Sequence, residues 1–495
     1  MIAALLLIGV IAASAYFLTR GGKPPDPGSP SPEAKAVEAL AVLPFANVGG
    51  DPKTEYLSDG LADHLINSLS RVGREGLKVR PFTSVSRYKG QNLDVPTFGR
   101  ELNVQMIVTG KLHQQGDDLS ISVALVDARE DNQLWGNRYQ GKLSGILDMQ
   151  DQLARDVAVN LRLRLSGVEE QRLTKRDTAD PEAYLLYREA QYHWNKFSPE
   201  GIQKAMEYFE RALKKDPNYA LAYGGLGTAH LLMGSLHLGP RATHPLAKKY
   251  LTTALAIDDT LSDAHSGLGL IHAFHDWDWP AAERELKYAV APGSSAASNN
   301  SYGFYLAAMG RPSDALVYIQ RNADVDPLAA YGRNELAMCY NWMRRYDQAI
   351  AAAQKAMELN PDFPLAYAEL GTAYVQKGMP EQAIAELQKT PKIGERHARV
   401  RGMLGYAYAA ANKRNEAQKV LEELKGLSQG RFGFALPIAR VHAALGEKVQ
   451  AFEWLRKACD ERDPHVIWIK VDPTLDSLRS DPQFAKVLKD MGLPP

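Results

Sequence analysis

A chain of 495 residues is too long for one compact core, so several domains or a repeat array are expected. Lys+Arg and Asp+Glu both total 58, so no global positive field argues for a nucleic-acid partner. Hydrophobic content of 45% fits an ordered body, and the only cysteines, Cys339 and Cys459, exclude a disulfide scaffold or a thiolate-built zinc site.

Ile2 to Leu18 runs 17 residues without a charge, the low end of a membrane-spanning helix. Ala13-Ser14-Ala15 has the spacing of a signal-peptide cleavage site, but no basic residue precedes the apolar run. That favours an uncleaved transmembrane anchor over residues 1–20. Arg20 and Lys23 follow the run, and the positive-inside rule alone places the rest of the chain in the cytoplasm. Residues 21–36 are a Pro/Gly-rich linker, extended and solvated.

Residues 37–166 alternate strand and helix patterns. Ala39 to Phe45 is an apolar run that suits a buried strand. Tyr56 to Val72 has helical spacing, with Leu57, Leu61, Leu65, Ile66 and Leu69 on one face. Leu77 to Phe82 reads as a strand and Val95 to Leu102 as a short helix. Met106 to Asp127 is a hairpin turning at Gln115-Gly116-Asp117-Asp118, and Asn132 to Gly141 adds a strand. Ile146 to Leu165 is an amphipathic helix. The sum is a small α/β domain with a mostly antiparallel or mixed sheet.

The stretches ALAVLPFANVGGDPKTEYLSDGLADHLINSLSRV, RYKGQNLDV, IVTGKLHQQGDDLSISVALVDARE and QLWGNRYQ resemble the TolB amino-terminal-like domain of bacterial envelope proteins. The resemblance implies an extracytoplasmic interaction domain without catalytic residues. Similar domains follow a single span in bacterial membrane-anchored repeat proteins and in the extracytoplasmic half of some receptor Ser/Thr kinases. It therefore implies a single-pass protein of the bacterial inner membrane with its bulk in the periplasm, against the local charges. Some such chains begin with an adenylate cyclase, winged helix or kinase. No Gly-rich phosphate loop or His-Arg-Asp loop occurs here.

From Pro181 the pattern is helical hairpins. Leu336, Leu370, Leu404 and Ile438 open similar stretches 34 residues apart. The pattern resembles the tetratricopeptide repeat (TPR). Small residues recur where helices cross, at Gly227, Gly269, Gly303, Ala337, Gly371, Gly405 and Ala439. Alanine recurs at Ala205, Ala247, Ala282, Ala315, Ala349, Ala383, Ala417 and Ala451. Eight repeats are expected over 181–464, starting near Leu186, Ala220, Ser262, Ala296, Ala330, Pro364, Ala398 and Phe432. Repeat 2 carries an inserted loop, Ser235 to Thr243, and repeat 3 carries Asp-Trp-Asp-Trp at its turn. Residues 465–495 read as a segment that caps the last apolar face.

The fold class is thus multidomain: an N-terminal transmembrane helix, a small α/β domain and an all-α superhelix. In the repeat family the first helix of each hairpin lines a concave groove. Here that gives Tyr187, Trp194, Phe304, Asn334, Met338, Asn341, Arg399, Tyr406 and Arg440 as candidate partner-binding residues. Aromatic and Arg groups suit a protein or peptide ligand, although packing between helices explains each equally well. Gly426-Leu427-Ser428-Gln429-Gly430 has nucleophile-elbow spacing but lies between helices, where the strand-turn-helix context is missing. His272, His275, Asp276 and Asp278 have ligand-like spacing, but no further donors complete a metal set. The reading is a non-catalytic scaffold with no cofactor, metal, small-molecule substrate or nucleic acid. The alternative is the sensor half of a signalling protein whose catalytic module lies outside this chain.

Overall fold

The computed structural model describes residues 37–72, 77–91, 94–163, 165–196, 198–290, 296–391 and 397–494. The expected anchor and linker lie outside the described residues. Among the described residues no helix is long and apolar enough to cross a membrane. Glu38–Pro495 form one compact unit.

The sheet holds β1 (Ala39–Val42), β2 (Ala46–Asn47), β3 (Lys78–Val79), β4 (Met106–Gln115), β5 (Asp118–Asp127) and β6 (Asn132–Lys142). Its order is β3-β1-β4-β5-β6, with β2 beside β4. β1 runs parallel to β3 and β4, whereas β4, β5 and β6 are antiparallel, so the sheet is mixed. β1 is apolar throughout and buried at every residue, as a central strand must be. β5 alternates, with Leu119, Ile121, Val123 and Leu125 turned inward. Gly116, at φ +60°, makes the tight turn before β5.

Helix α1 (Glu55–Arg71) buries the expected leucine face, and α2 spans Val95–Leu102. Helix α3 (Ile146–Asn160) ends five residues before the expected Leu165, because Arg162 turns to φ +56°. Only Lys78 and Val79 of the expected Leu77–Phe82 strand pair, because Pro81 precedes a helical turn at Phe82.

Among the described residues eight helical hairpins follow. Their helices A are Pro181–Trp194, Ala220–Met233, Ser262–Ile271, Ala296–Ala308, Ala330–Trp342, Pro364–Gln376, Ala398–Ala410 and Ala435–Ala444. Their helices B are Pro199–Lys215, Pro240–Ile257, Trp279–Ala289, Pro312–Val325, Tyr346–Leu359, Pro380–Gln388, Arg414–Leu427 and Lys448–Asp460. The first hairpin starts five residues before Leu186, where Asp180 caps the backbone N–H groups of Glu182 and Ala183. The inserted loop of repeat 2 opens as a π-helical turn, Gly234–Leu238, and repeat 3 has another at His272–Asp276. In repeats 4 to 8 the turn after helix A places Gly310, Arg344, Gly378, Asn412 and Gly446 at positive φ, each 34 residues after the last.

All eight recurrent alanines are fully buried. A Cβ on Gly227 would lie 2.5 Å from Leu251 Cγ and 3.2 Å from the Ala247 carbonyl. Gly269 meets Leu286 and Ala282 in the same way. These positions set how closely the two helices of a hairpin approach.

Two buried arginines, with Arg87 donating to the Leu328 carbonyl, help bolt the sheet domain to the array. Arg80 donates to the Asp324 and Val325 carbonyls (both 2.9 Å) at the end of helix B of repeat 4. Its other nitrogens reach the Leu102 and Asn103 carbonyls, so one cation joins two helix C-termini. Arg188, buried in repeat 1, donates to Asp63 of α1 (2.6 Å), to Tyr184 and to Gln191.

Gly227→Val is expected to cost about 1–3 kcal/mol, since the new methyls overlap Leu251. Gly224→Ala, on the same helix but with nothing within 4 Å, should stabilise by up to about 1 kcal/mol. Urea unfolding of both variants checks the pair.

Candidate functional site

The inner face of repeats 4 to 8 is where most of the candidate residues meet. Position in the repeat decides this: helix A carries Phe304, Met338, Asn341, Arg399, Tyr406 and Arg440 inward. They do not line an open channel. The chain's own segment after Asp463 folds back into the space between them.

That segment is built from three Asp-Pro pairs, Asp463-Pro464, Asp472-Pro473 and Asp481-Pro482, nine residues apart. Each aspartate accepts the backbone N–H two residues on, and each proline opens a short helix. The first two helices are 3-10 turns, Pro464–Trp468 and Pro473–Leu478; the third is α4 (Pro482–Asp490).

Trp468 is the anchor. Its ring centroid lies 5.2 Å from Phe304, 5.2 Å from Trp342 and 6.1 Å from Phe274. Its Nε1–H donates to the Phe304 carbonyl at 3.0 Å. Arg440 grips Asp472 with two nitrogens, at 2.6 and 2.9 Å. Arg399 pairs with Glu369 and sits 3.4 Å from His465 Nε2. Asn341 donates to the carbonyl and carboxylate of Glu369, both at 3.0 Å. Tyr406 accepts from Gln376, and burial pushes its hydroxyl up to about 12. Arg344 donates to the Val471 carbonyl and pairs with Asp476.

Electrostatics fit a permanent contact. Burial pushes the Asp472 carboxyl up, but Arg440 and Thr474 outweigh it and hold it below the usual range. Asp463 is likewise held low by His465 against its burial, and burial drives the His465 imidazole down. The residual space in the groove is about 40 Å³, the scale of one water molecule and far from that of a peptide.

The other candidates lie elsewhere. Tyr187 and Trp194 pack in the core of hairpin 1, Tyr187 beside Phe209 and Tyr219, because helix A starts at Pro181, five residues earlier than expected, and its register is shifted. Asn334 is buried on helix A of repeat 5, one turn before Met338. Ser428 ends helix B of repeat 7, where its hydroxyl donates to the Lys425 carbonyl; no strand leads into it, so the elbow geometry is absent. His272 pairs with Asp276 at 2.9 Å, and no group of three metal-ligating side chains occurs among the described residues. The capping segment does more than cover the last repeat. Val466, Ile467, Ile469, Leu475 and Leu478 share one core with helices of repeats 3, 4, 5 and 8.

Glu335 was not suggested by the repeat pattern. Burial pushes its carboxyl up to about 8, despite hydrogen bonds from Tyr331, Asn300 and Asn322. A lone acid on helix A amid polar neighbours was the available signal.

A family model for the tetratricopeptide repeat matches residues 343–402. The match covers helix B of repeat 5, all of repeat 6 and the start of repeat 7, so the tetratricopeptide repeat is supported there. Over residues 35–155, where the sequence suggested a TolB amino-terminal-like domain, the matching model is that of the HilA/YgeH-like transcriptional regulator, second domain. The putative adenylate cyclase 3 of Rhizobium meliloti (strain 1021) is 33% identical over 208 residues, which cover 42% of this chain and 35% of the relative. This chain thus spans about a third of the length of the curated relative it matches. Among solved structures, the human IFIT1 dimer with PPP-AAAA is 15% identical, covering 64% of this chain and 88% of that one, with a TM-score of 0.40. Pseudomonas aeruginosa PilF is 22% identical, covering 44% and 96%, with a TM-score of 0.35.

Arg440→Ala leaves a buried Asp472 unpaired and should cost about 3–5 kcal/mol at neutral pH. Asp472 is held low in the folded state, so its stabilisation is present above about pH 4 and fades as pH falls further. The gap between Arg440→Ala and wild type should therefore narrow on acidification, read by urea unfolding across pH 3–7. Glu335 has the opposite sign. Its raised folded-state pKa means stability falls as pH climbs from about 4.5 to about 8. Glu335→Gln should flatten that slope and raise the melting temperature most at pH 8.

Proposed function

We propose that this chain is a non-catalytic scaffold for protein–protein interaction. One observation carries the reading: the inner face of the array already holds a stretch of polypeptide, in short turns gripped by Arg344, Arg399, Arg440 and an aromatic box. The groove's chemistry suits peptide.

An outside partner does not use the filled stretch. Val466, Ile467, Trp468, Ile469, Val471, Leu475 and Leu478 are all buried there. Exposing them costs roughly 1.5–3 kcal/mol each, on the order of 10–20 kcal/mol together. That rivals the whole net stability of a domain, about 5–15 kcal/mol. Partners instead meet surfaces left open, where Tyr288, Val317, Tyr331 and Val449 stand exposed.

In the finer reading, residues 1–20 anchor the scaffold in a bacterial inner membrane, with the bulk on the periplasmic side. The TolB-like resemblance and the apolar Ile2–Leu18 run support it. A second reading is favoured by the likeness to a relative named as a putative adenylate cyclase. Here the chain is the interaction half of a signalling protein whose catalytic module lies outside it. Native protein no heavier than this chain, and without cyclase activity when purified through the array, would overturn this second reading.

Photo-crosslinkers at Tyr288, Val317, Tyr331 and Val449 test the scaffold in cells. A discrete protein adduct is expected at one or more of them, and none at Asn341, which is 2% exposed. Four exposed positions without an adduct would sink the scaffold reading.

A further inference from the structure

Two histidines meet where repeats 2 and 3 touch, away from the groove. His244 stands near the start of helix B of repeat 2 and is sealed from solvent. His275 lies in the π-helical turn His272–Asp276 of repeat 3 and is half-buried. Their rings stand edge to face, with 5.5 Å between centroids. Among the described residues neither ring nitrogen of His244 completes a hydrogen bond, and neither does Nδ1 of His275 or the buried hydroxyl of Thr243. A sealed imidazole without partners costs stability and contributes only the shape of a ring, which phenylalanine would supply without that cost. What imidazole adds is a proton site in the weakly acid range.

Two irregular turns close over the pair. In the π turn of repeat 2, Gly234–Leu238, a Cβ on Gly234 would lie 3.2 Å from His244 Nε2 and closer still to Thr243 Oγ1. Just beyond that turn Phe432, ahead of helix A of repeat 8, lies over Gly239 with ring carbons 3.7 Å from the position of a Cβ. The other turn carries His275 itself. Trp277, which follows it, sits at φ +57° beneath the Arg462 guanidinium, 3.4 Å from the ring centroid. Both turns depart from the regular helical ladder, so they can open without unfolding a whole hairpin.

The surrounding charge offers little to an added cation. His275 faces one carboxylate, Asp276, and three cations, Arg241, Lys248 and Arg462. Asp276 is already engaged by Lys248 at 2.6 Å and by His272 at 2.9 Å. Burial, and then His275, hold the His244 imidazole down at about 4, while the Leu231 carbonyl and Asp276 pull the other way. Burial lowers His275 as well.

We propose that His244 and His275 form an acid-sensitive latch: proton uptake sets two imidazolium rings in one sealed site, parts the two π turns, and frees the insertion of repeat 2 from repeat 3 and from Phe432 of repeat 8. Proton linkage sets the direction. A histidine held below its ordinary value keeps the closed form intact above about pH 6.5 and favours the open form as pH falls from there toward about 4. Each histidine shifts the opening equilibrium by up to about tenfold per pH unit in that window. The groove keeps its grip over the same range, because Asp472 is held low beside Arg440.

Hydrogen exchange of the full chain in mild detergent, read by mass spectrometry and corrected for the intrinsic exchange rate, is the test. From pH 7 to pH 5 protection in residues 231–244 and 271–278 should fall at least about tenfold further than in repeats 6 and 7. His244→Phe keeps a ring in the site and loses no completed hydrogen bond, so it should hold that protection level across the range. His275→Gln, at a half-buried position, should reduce the fall and gives an independent reading if His244→Phe does not fold. A wild-type chain whose two turns lose no more protection than repeats 6 and 7 overturns the proposal without any variant. So does a fall that the folded variants retain in full.

Discussion

Everything in the array rests on how closely two helix backbones can approach. At the crossing inside each hairpin the chain carries alanine on helix B, and all eight of these alanines are sealed from solvent. Facing them on helix A in repeats 2 to 8 stand glycine or alanine. The larger side chains then fill the flanks at a fixed distance, and the spacing sets how one hairpin stacks on the next. The inner surface, its curvature and the segment it holds all follow from that separation.

The second constraint is that a stack of amphipathic hairpins leaves apolar surface on its inner side as well as its ends. This chain covers the inner side with itself. The three Asp-Pro turns are suited to the task because each aspartate satisfies its own backbone N–H groups. The segment thus enters an apolar space with few polar debts and delivers Trp468 to its box. Charge enters only as pairs, Asp472 with Arg440 and Arg399 with Glu369. Arg344 shows what the contact is worth locally. It keeps the left-handed backbone position where neighbouring repeats have glycine or asparagine, and its guanidinium is spent on Val471 and Asp476.

Much of this was legible in the sequence. The 34-residue period located the hairpins, and the small residues at Gly227, Gly269 and Ala349 marked the crossings because close approach tolerates nothing else. The leucine face of α1 and the turn at Gly116 were equally plain. The candidate site was legible only in part. Repeat position showed that Arg399, Tyr406 and Arg440 point inward, but not what they touch. Their partners His465 and Asp472 lie 66 and 32 residues away from Arg399 and Arg440, and periodicity carries no information about such contacts. The nine-residue spacing of the Asp-Pro pairs was the available clue. Tyr187 was misplaced because the first helix A starts five residues before the expected position, which turns Tyr187 into the core.

The folded-back segment also bears on how such a chain can evolve. It ties repeat 3 to the end of the molecule, through Trp279 Nε1–H and the Met491 carbonyl at 2.8 Å. It ties repeats 4, 5 and 8 as well, through Phe304, Arg344 and Arg440. Open solenoids lengthen or shorten by duplicating a unit, since each repeat touches only its neighbours. Here the gain or loss of one hairpin would carry these anchor points out of reach of one another. The number of repeats is therefore locked by the tail, and variation is left to insertions at the turns, such as the one that already enlarges repeat 2.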